Sequence, residues 1–190
     1  MWLLCQGRVD EALSSAQRAR GLDRFGSATW DLEWILFQSR RYDEAVRELR
    51  SSLAVHPNDA SVLWMMGFTL VVKGQPNEAI PLLEKAAVLA DRSSGFIDVL
   101  AAAYARAGRR SDALRILAEL KKRKEQGYVA AASFAIVYLG LGENEEAFSW
   151  LGEAYKERSN ILQFVKVHPL FDPLRGDPRF ADLVHRVGLA

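Results

Sequence analysis

Apolar residues recur with helical spacing in short segments along the chain, and turn residues separate these segments. One segment, "DASVLWMMGFTLVVK", is almost continuously apolar. The next, "NEAIPLLEKAAVLA", is amphipathic, with Ala79, Leu82, Leu83 and Ala86 on one face of a helix. An apolar helix followed by an amphipathic one recurs along the sequence, and this pattern predicts an all-α chain built from helix pairs.

The helix pairs repeat with a period of 34 residues. Five segments have similar sequences: "GRVDEAL", "RRYDEAV", "GQPNEAI", "GRRSDAL" and "GENEEAF". Their alanines are Ala12, Ala45, Ala79, Ala113 and Ala147, spaced 33, 34, 34 and 34 residues apart. Gly74, Gly108 and Gly142 precede three of these alanines by five residues. Because glycine adopts the left-handed conformation at little cost, each glycine is predicted to end the first helix of its pair.

This arrangement resembles the tetratricopeptide repeat, a helix–turn–helix unit of 34 residues. The segment "LWMMGFTL" supplies Leu63, Met66, Gly67 and Leu70 of the family pattern. Tyr104 and Tyr138 are in register with each other, and Pro57 lies where the family places its inter-repeat proline. Glu33 instead occupies a position at which the family has a small residue. The resemblance covers about residues 1–158 and implies a right-handed α-solenoid of about five helix pairs, the first of them partial.

Residues 159–190 depart from the repeat and are predicted to form a tail with a short turn and a capping helix. Asp172-Pro173 and Asp177-Pro178 each place a capping side chain before a residue that starts helices well. The apolar face of the final helix comprises Phe180, Leu183, Val184 and Val187. Because the last repeat of an array exposes an apolar face, this helix is expected to cover it.

The tail also resembles those of tetratricopeptide regions in multidomain bacterial signalling and regulatory proteins. That resemblance implies that the chain is part of a larger protein of this kind. No winged-helix, cyclase or kinase motif is present in the sequence itself.

The first helices of tetratricopeptide repeats line a concave groove, so the resemblance implies which residues face it. These are Trp30, Trp34, Phe37, Gln38, Trp64, Phe68, Val71, Asp98, Arg106 and Ile136. Trp30, Trp34 and Phe37 follow i, i+4, i+7 spacing and share one face. Aromatic residues dominate binding energy at protein interfaces, which predicts a groove that binds a partner helix or apolar peptide. The alternative is that the array's own curvature or another part of the same polypeptide covers these residues.

The sequence contains no recognisable constellation for catalysis, for a metal or for a cofactor. Cys5 is the only cysteine, and the three histidines, His56, His168 and His185, are scattered. His56 and His168 each precede a proline and are predicted to be solvated loop residues. There is no P-loop. We therefore expect a protein-interaction module rather than an enzyme.

A basic stretch keeps a second class of function open. Between residues 106 and 124, eight basic residues stand against Asp112 and Glu119. Such a stripe is typical of a phosphate-facing surface, so a nucleic-acid-binding helical repeat is the alternative. The formal net charge of +1 favours neither class.

The ends and the apolar runs of the sequence support two further predictions. No secretory leader is recognisable, and the longest apolar runs fall short of the roughly 18 residues that a membrane-spanning helix needs. A cytoplasmic protein without a membrane segment is therefore predicted. Residues 1–4 correspond to the end of a first helix, which leaves its partner half covered. This edge is expected either to continue into upstream sequence or to mediate self-association.

Overall fold

In the computed structural model, the described residues are 2–5, 8–22 and 29–189. Within these ranges the structure is helical and contains no strand. The α-helices are α1 (Trp2–Cys5), α2 (Val9–Leu22), α3 (Thr29–Gln38), α4 (Tyr42–Val55), α5 (Ala60–Lys73), α6 (Pro76–Leu89), α7 (Ser94–Arg106), α8 (Arg110–Gln126), α9 (Ala131–Leu141), α10 (Asn144–Lys156) and α11 (Pro178–Arg186). Two 3-10 helices, Asn160–Phe164 and Pro169–Leu174, lie between α10 and α11.

Each helix from α1 to α10 packs against the next one in the chain, which gives an α-solenoid of helix pairs. The predicted all-α fold class is confirmed. The repeated alanines explain the close contact within pairs, since Ala45, Ala79, Ala113 and Ala147 are all completely buried. A larger residue at such a position would overpack the contact between the two helices, at a cost of roughly 1–3 kcal/mol.

From the α3–α4 pair onwards, the turn inside each pair follows the predicted glycine rule, with one exception. Gly74 and Gly142 end α5 and α9 with φ angles of +89° and +74°. Thirty-four residues before Gly74, the same turn of the α3–α4 pair contains Arg40, with a φ of +62°. A side chain in the left-handed region costs about 1–2 kcal/mol. The first complete pair therefore has a strained arginine where the later pairs have glycine.

The small-residue position of the repeat is also occupied differently in the α3–α4 pair. A Cβ atom at Gly67 would lie 2.5 Å from Cγ of Leu83, so α5 and α6 approach as closely as glycine allows. The corresponding residue of α3, Glu33, is buried. Its Oε1 accepts a hydrogen bond of 3.3 Å from the Ser52 hydroxyl of α4. A polar contact there replaces the close apolar contact of the other pair.

The C-terminal helix α11 begins as predicted and packs on the last repeat. The Asp177 side chain accepts a hydrogen bond from the Arg179 N–H at 2.9 Å, and Pro178 is the first helical residue. Phe180 is buried on the inner side of α11. The Arg179 guanidinium lies 4.2 Å from the centroid of the Phe148 ring in α10. Helix α11 therefore lies against α10, and its role as a cap of the array stays a prediction.

The predicted helix start at Asp172-Pro173 is wrong. The 3-10 helix begins earlier, at Pro169, and the capping side chain is that of His168. His168-Pro169 provides the same device as an Asp-Pro pair, because an acceptor side chain precedes a proline. Asp172 lies inside the helix, and its carboxylate pairs with Arg40 of the α3–α4 turn instead.

Candidate interaction groove

The odd-numbered helices α3, α5, α7 and α9 carry the residues predicted to face the groove. In α3, Phe37 and Gln38 are buried and Trp34 is half-buried. In α5, Phe68 and Val71 are buried and Trp64 is half-buried. Trp30 also belongs to α3, but its side chain lies outside the described part of the chain.

Four aromatic side chains from these two helices form a continuous cluster, here called the aromatic floor: Trp34, Phe37, Trp64 and Phe68. The ring centroids of Trp34 and Phe37 are 5.6 Å apart. Those of Phe37 and Phe68 are 5.0 Å apart and join the two helices. The Trp64 centroid is 5.3 Å from that of Phe68. Two successive repeats thus contribute to one aromatic surface. Sequence spacing could indicate that rings within one helix share a face, but not that the two helices bring their rings together.

Three of the predicted groove residues, Asp98, Arg106 and Ile136, lie on α7 and α9, apart from this floor. Asp98 of α7 is buried, accepts a hydrogen bond from the Val99 N–H at 2.6 Å and is hydrogen-bonded to Ser133. Burial raises the pKa of Asp98 to about 7. Ile136 of α9 is buried, whereas Arg106 is exposed and donates to the Val71 carbonyl at 3.4 Å.

Helices α7 and α9 close the groove at this end by direct contact. A Cβ atom at Gly140 of α9 would lie 2.5 Å from the Cα of Ala102 in α7. Backbone therefore meets backbone at this crossing, and there is no space for a ligand between the two helices.

The aromatic floor is covered by residues 160–174, here called the tail segment. His168 is completely buried, and its ring centroid lies 5.6 Å from that of Trp34, 5.3 Å from Phe37 and 5.7 Å from Phe68. Phe164 meets Trp34 edge-on at 5.7 Å. A segment that follows the last repeat thus reaches helices of the second and third pairs.

The prediction that His168 is a solvated loop residue is therefore wrong. Its Nδ1 accepts a hydrogen bond from the Leu170 N–H at 3.1 Å, so the neutral ring carries its proton on Nε2. Burial lowers the pKa of His168 to about 3; Asp172 opposes this shift, and Arg40 and Arg175 reinforce it. Nε2 has no hydrogen-bond partner among the described residues. Packing against aromatic rings is thus the main contact that holds this imidazole.

A second anchor joins the tail segment to the turn between α3 and α4. Two nitrogens of Arg40, Nη2 and Nε, donate to the two carboxylate oxygens of Asp172 at 2.6 and 3.2 Å. Nη1 of Arg40 also donates to the Val167 carbonyl at 3.4 Å. Partial burial opposes ionisation of Asp172, but the hydrogen bonds from Arg40 and Arg175 outweigh it and lower the pKa of Asp172. The sequence signal for this anchor is the departure of Arg40 from the glycine period.

Comparison with known families decides what kind of array this is. The sequence model described as tetratricopeptide repeat matches residues 33–160, which is more than half of the 190-residue chain. The chain belongs to the tetratricopeptide repeat family. No curated protein matches the chain significantly. The family match ends at the start of the tail segment, so membership of the family does not by itself imply that the segment docks on the floor.

Tetratricopeptide repeats are non-catalytic scaffolds that generally mediate contacts between proteins. Within the described ranges, no group of three or more histidine, cysteine or acidic side chains is placed to hold a metal ion. In the same part of the chain, no helix has both the length and the apolar character needed to cross a membrane.

The basic stripe between residues 106 and 124 is largely paired with acidic side chains. Five of its members form ion pairs: Arg109 and Arg115 with Asp112, Arg110 with Glu143, Arg123 with Glu119, and Lys124 with Glu157. Lys121 lies 5.9 Å from the ring centroid of Tyr138. These contacts neutralise much of the positive charge locally.

The N-terminal edge presents polar side chains among its described residues. Asp10, Glu11, Ser14 and Arg18 of α2 are exposed, and Leu4 of α1 is buried. Self-association through this edge stays a prediction, and the polar face of α2 offers little apolar surface to drive it.

Proposed function

We propose that this chain is a protein-interaction module whose concave groove binds an apolar segment of a protein partner. One observation carries the proposal: the aromatic floor formed by α3 and α5 is in contact with a polypeptide segment rather than closed by its own helices. A surface that binds one short polypeptide segment with aromatic side chains and a carboxylate can bind a second segment with the same kinds of side chain.

The floor is also where binding energy is expected to concentrate. Each aromatic side chain contributes roughly 1.5–3 kcal/mol when it is buried. Within the predicted set, Asp98 and Ile136 are buried in the array itself, so they support the groove rather than line an open surface. We therefore propose Trp34, Phe37, Trp64 and Phe68 as the centre of the site. Arg106, which is exposed at the end of α7, lies at its margin.

Site-specific photo-cross-linking in the source cell tests this proposal. A benzophenone amino acid replaces Trp64, a half-buried ring of the floor, and in a matched variant it replaces Leu114, which is exposed on α8. We expect position 64 to give discrete cross-linked products with one protein partner that position 114 does not give. Identical products from both positions, or none from position 64 in a folded variant, would count against the groove.

Nucleic-acid binding remains the alternative function, and the ion pairs of the basic stripe count against it. A protein that neutralises phosphates with several cations loses affinity steeply as salt rises. Retention of the chain on DNA or RNA columns with a strong salt dependence, abolished by Lys121→Glu and Lys122→Glu, would favour this alternative. We expect neither retention nor an effect of the two substitutions.

We also propose that the module acts in the cytoplasm as part of a larger bacterial regulatory or signalling protein. The support is the resemblance of its tail to those of such proteins. An immunoblot of fractionated source cells tests this point. A soluble product well above 21.3 kDa is expected, and a product of 21.3 kDa would contradict the larger context.

A further inference from the structure

We propose that the tail segment is a built-in ligand of the groove, and that the partner displaces it with a segment of the same chemistry. That segment carries two aromatic side chains around a neutral ring of imidazole size, followed directly by a carboxylate. The proposal rests on the function proposed above, because it names the class of partner and the way in which the isolated groove is kept covered.

The rings of the tail segment contact the floor as a ligand would contact a receptor. His168 lies centrally and touches three rings from two helices, at 5.3 to 5.7 Å between centroids. Phe164 contacts Trp34, and Phe171 packs on His168 itself at 5.6 Å. The contact is made by side chains, and it joins residues more than 90 positions apart in the chain.

The backbone of the tail segment is satisfied locally. Among the described residues, its backbone hydrogen bonds run within the segment or to its immediate neighbours: Val165 N–H to the Leu162 carbonyl, His168 N–H to Phe164 and Phe171 N–H to His168. In the described part of the chain no backbone–backbone hydrogen bond joins it to the array, and the Val167 carbonyl accepts one hydrogen bond from the Arg40 side chain. Release of the segment therefore breaks side-chain contacts only, and an unrelated chain can make the same contacts.

Arg40 gives the groove its preference for a carboxylate. It occupies the left-handed position of the turn at which the three following pairs have Gly74, Gly108 and Gly142. From that position its guanidinium reaches Asp172 with two hydrogen bonds. A bidentate pair of this kind fixes the orientation of a carboxylate as well as its charge.

Helices α3 and α5 also carry buried polar groups to which the tail segment makes no hydrogen bond. The side-chain amide of Gln38 and the indole N–H groups of Trp34 and Trp64 are buried without hydrogen-bond partners among the described residues. Because an unmade buried hydrogen bond weakens a complex, the built-in ligand is not the tightest possible one. A partner segment that offers an acceptor to these groups has an advantage in competition.

The test uses the full chain and a labelled peptide of residues 159–176, "SNILQFVKVHPLFDPLRG". In the chain, His168→Ala with Phe171→Ala weakens the built-in ligand and leaves the floor and Arg40 intact. We expect fluorescence polarisation to show at least tenfold tighter peptide binding to this variant than to the wild-type chain. A peptide with Asp172→Lys should bind several-fold more weakly, and this difference should disappear when the chain also carries Arg40→Gly. A folded double variant that binds the peptide no better than wild type overturns the proposal.

A second measurement covers the case in which the double variant does not fold. Hydrogen exchange of the wild-type chain should show amides of residues 162–171 exchanging through a local opening, faster than those in the middle of α5 and α6. Exchange of both regions at one common rate would mean that the segment is released only by global unfolding, and would overturn the proposal. Dimers in which two copies exchange their tail segments would also overturn the proposal, because the groove would then bind a second copy of this chain.

Failure of this inference is distinguishable from failure of the proposed function. Cross-linking from position 64 to a protein partner, together with a tail segment that never opens, would retain the interaction module and reject the built-in ligand. Peptide binding without any cross-linked partner would keep the tail segment as a ligand of the groove, but would reject the interaction module and, with it, displacement by a partner.

Discussion

The two halves of the groove have the same helical architecture and different side chains. We call α3 and α5 the aromatic half, and α7 and α9 the alanine half. At α7 and α9, small residues such as Ala102 and Gly140 allow the helices to touch backbone to backbone. At α3 and α5, large rings such as Phe37 and Phe68 occupy the inner face, and the tail segment fills the space above them. Side-chain size on one stripe therefore distinguishes two first helices in direct backbone contact from two whose large rings are covered by the tail segment.

This difference restricts the candidate site to the first half of the array. In the other half, α7 and α9 meet by direct contact, and α9 also packs against the 3-10 helix Pro169–Leu174 of the tail segment. The aromatic half would leave several rings exposed without the tail segment, at a cost of roughly 1.5–3 kcal/mol for each large side chain. Covering the floor is thus a requirement of the fold, and exchanging one cover for another is how the fold is expected to perform its function.

Removing a ring from the aromatic half should have the largest effect. Phe68→Ala deletes a buried ring that contacts Phe37, Trp64 and His168. Since the surrounding helices cannot collapse fully into the space, we expect a loss of about 3–5 kcal/mol in the free energy of unfolding, measured by urea denaturation. Leu114→Ala on the exposed face of α8 serves as the control and should change it by less than about 0.5 kcal/mol. Equal effects would mean that Phe68 is not part of a packed cluster.

Adding one methyl group at the contact between α7 and α9 should destabilise the fold. At Gly140 a Cβ atom would lie 2.5 Å from the backbone of Ala102, so Gly140→Ala should destabilise the chain by about 1–3 kcal/mol. At Gly152 in α10 no atom lies within 4 Å of the added Cβ. Gly152→Ala should instead stabilise by about 0.5–1 kcal/mol, because alanine favours the helix. Thermal and urea unfolding of both variants provide the comparison, and the same sign for both would contradict the close approach of α7 and α9.

The two halves should also respond to pH in opposite directions. In the aromatic half, the pKa of His168 is about 3 in the folded chain and near 6.5 when exposed. The unfolded chain therefore binds the extra proton as pH falls below 6.5, and stability is lost by up to about 1.4 kcal/mol per pH unit. His168→Asn keeps an acceptor for the Leu170 N–H and does not titrate. Relative to wild type, this variant should gain about 2 kcal/mol between pH 6.5 and 5 in urea denaturation. If the difference in free energy of unfolding between His168→Asn and wild type is the same at pH 6.5 and pH 5, burial of a neutral imidazole is contradicted.

In the alanine half, burial raises the pKa of Asp98 to about 7. As pH falls, the Asp98 carboxyl takes up its proton in the folded chain at a higher pH than in the unfolded chain. Protonation therefore stabilises the fold as pH falls from about 7 towards 4. Asp98→Asn should therefore stabilise the chain more at pH 8 than at pH 5, by a difference of about 1 kcal/mol or more. Ser133→Ala, which removes a hydrogen-bonding partner of this carboxyl, is the control and should destabilise at pH 8. An effect of Asp98→Asn that does not vary with pH would rule out the shifted pKa.

The repeat was predictable from sequence because its determinants are local and periodic. Helix ends at Gly74 and Gly142 and the buried alanines such as Ala79 follow from residue type and a spacing of 34. The floor was indicated in part, since Trp34 and Phe37 share one helical face. Its closure by the tail segment was not predictable, because it joins His168 to side chains more than 90 positions earlier.

The local sequence at the docked segment even indicated the opposite of what the structure has. A histidine before a proline is typical of an exposed turn, and Asp172-Pro173 is typical of a helix start. Only tertiary contact with the aromatic floor and with Arg40 gives these residues their places. The single sequence signal was the arginine at a turn where the repeat otherwise uses glycine.

Competition at the floor tests the central claim most directly. The chain with a benzophenone amino acid at position 64 is cross-linked to its partner in a source-cell extract, with and without an excess of the peptide of residues 159–176. We expect the peptide to suppress the cross-linked product, and a peptide with His168→Ala and Phe171→Ala to leave it unchanged. A product whose yield is unchanged by the wild-type peptide would contradict the claim that partner and tail segment bind the same aromatic floor.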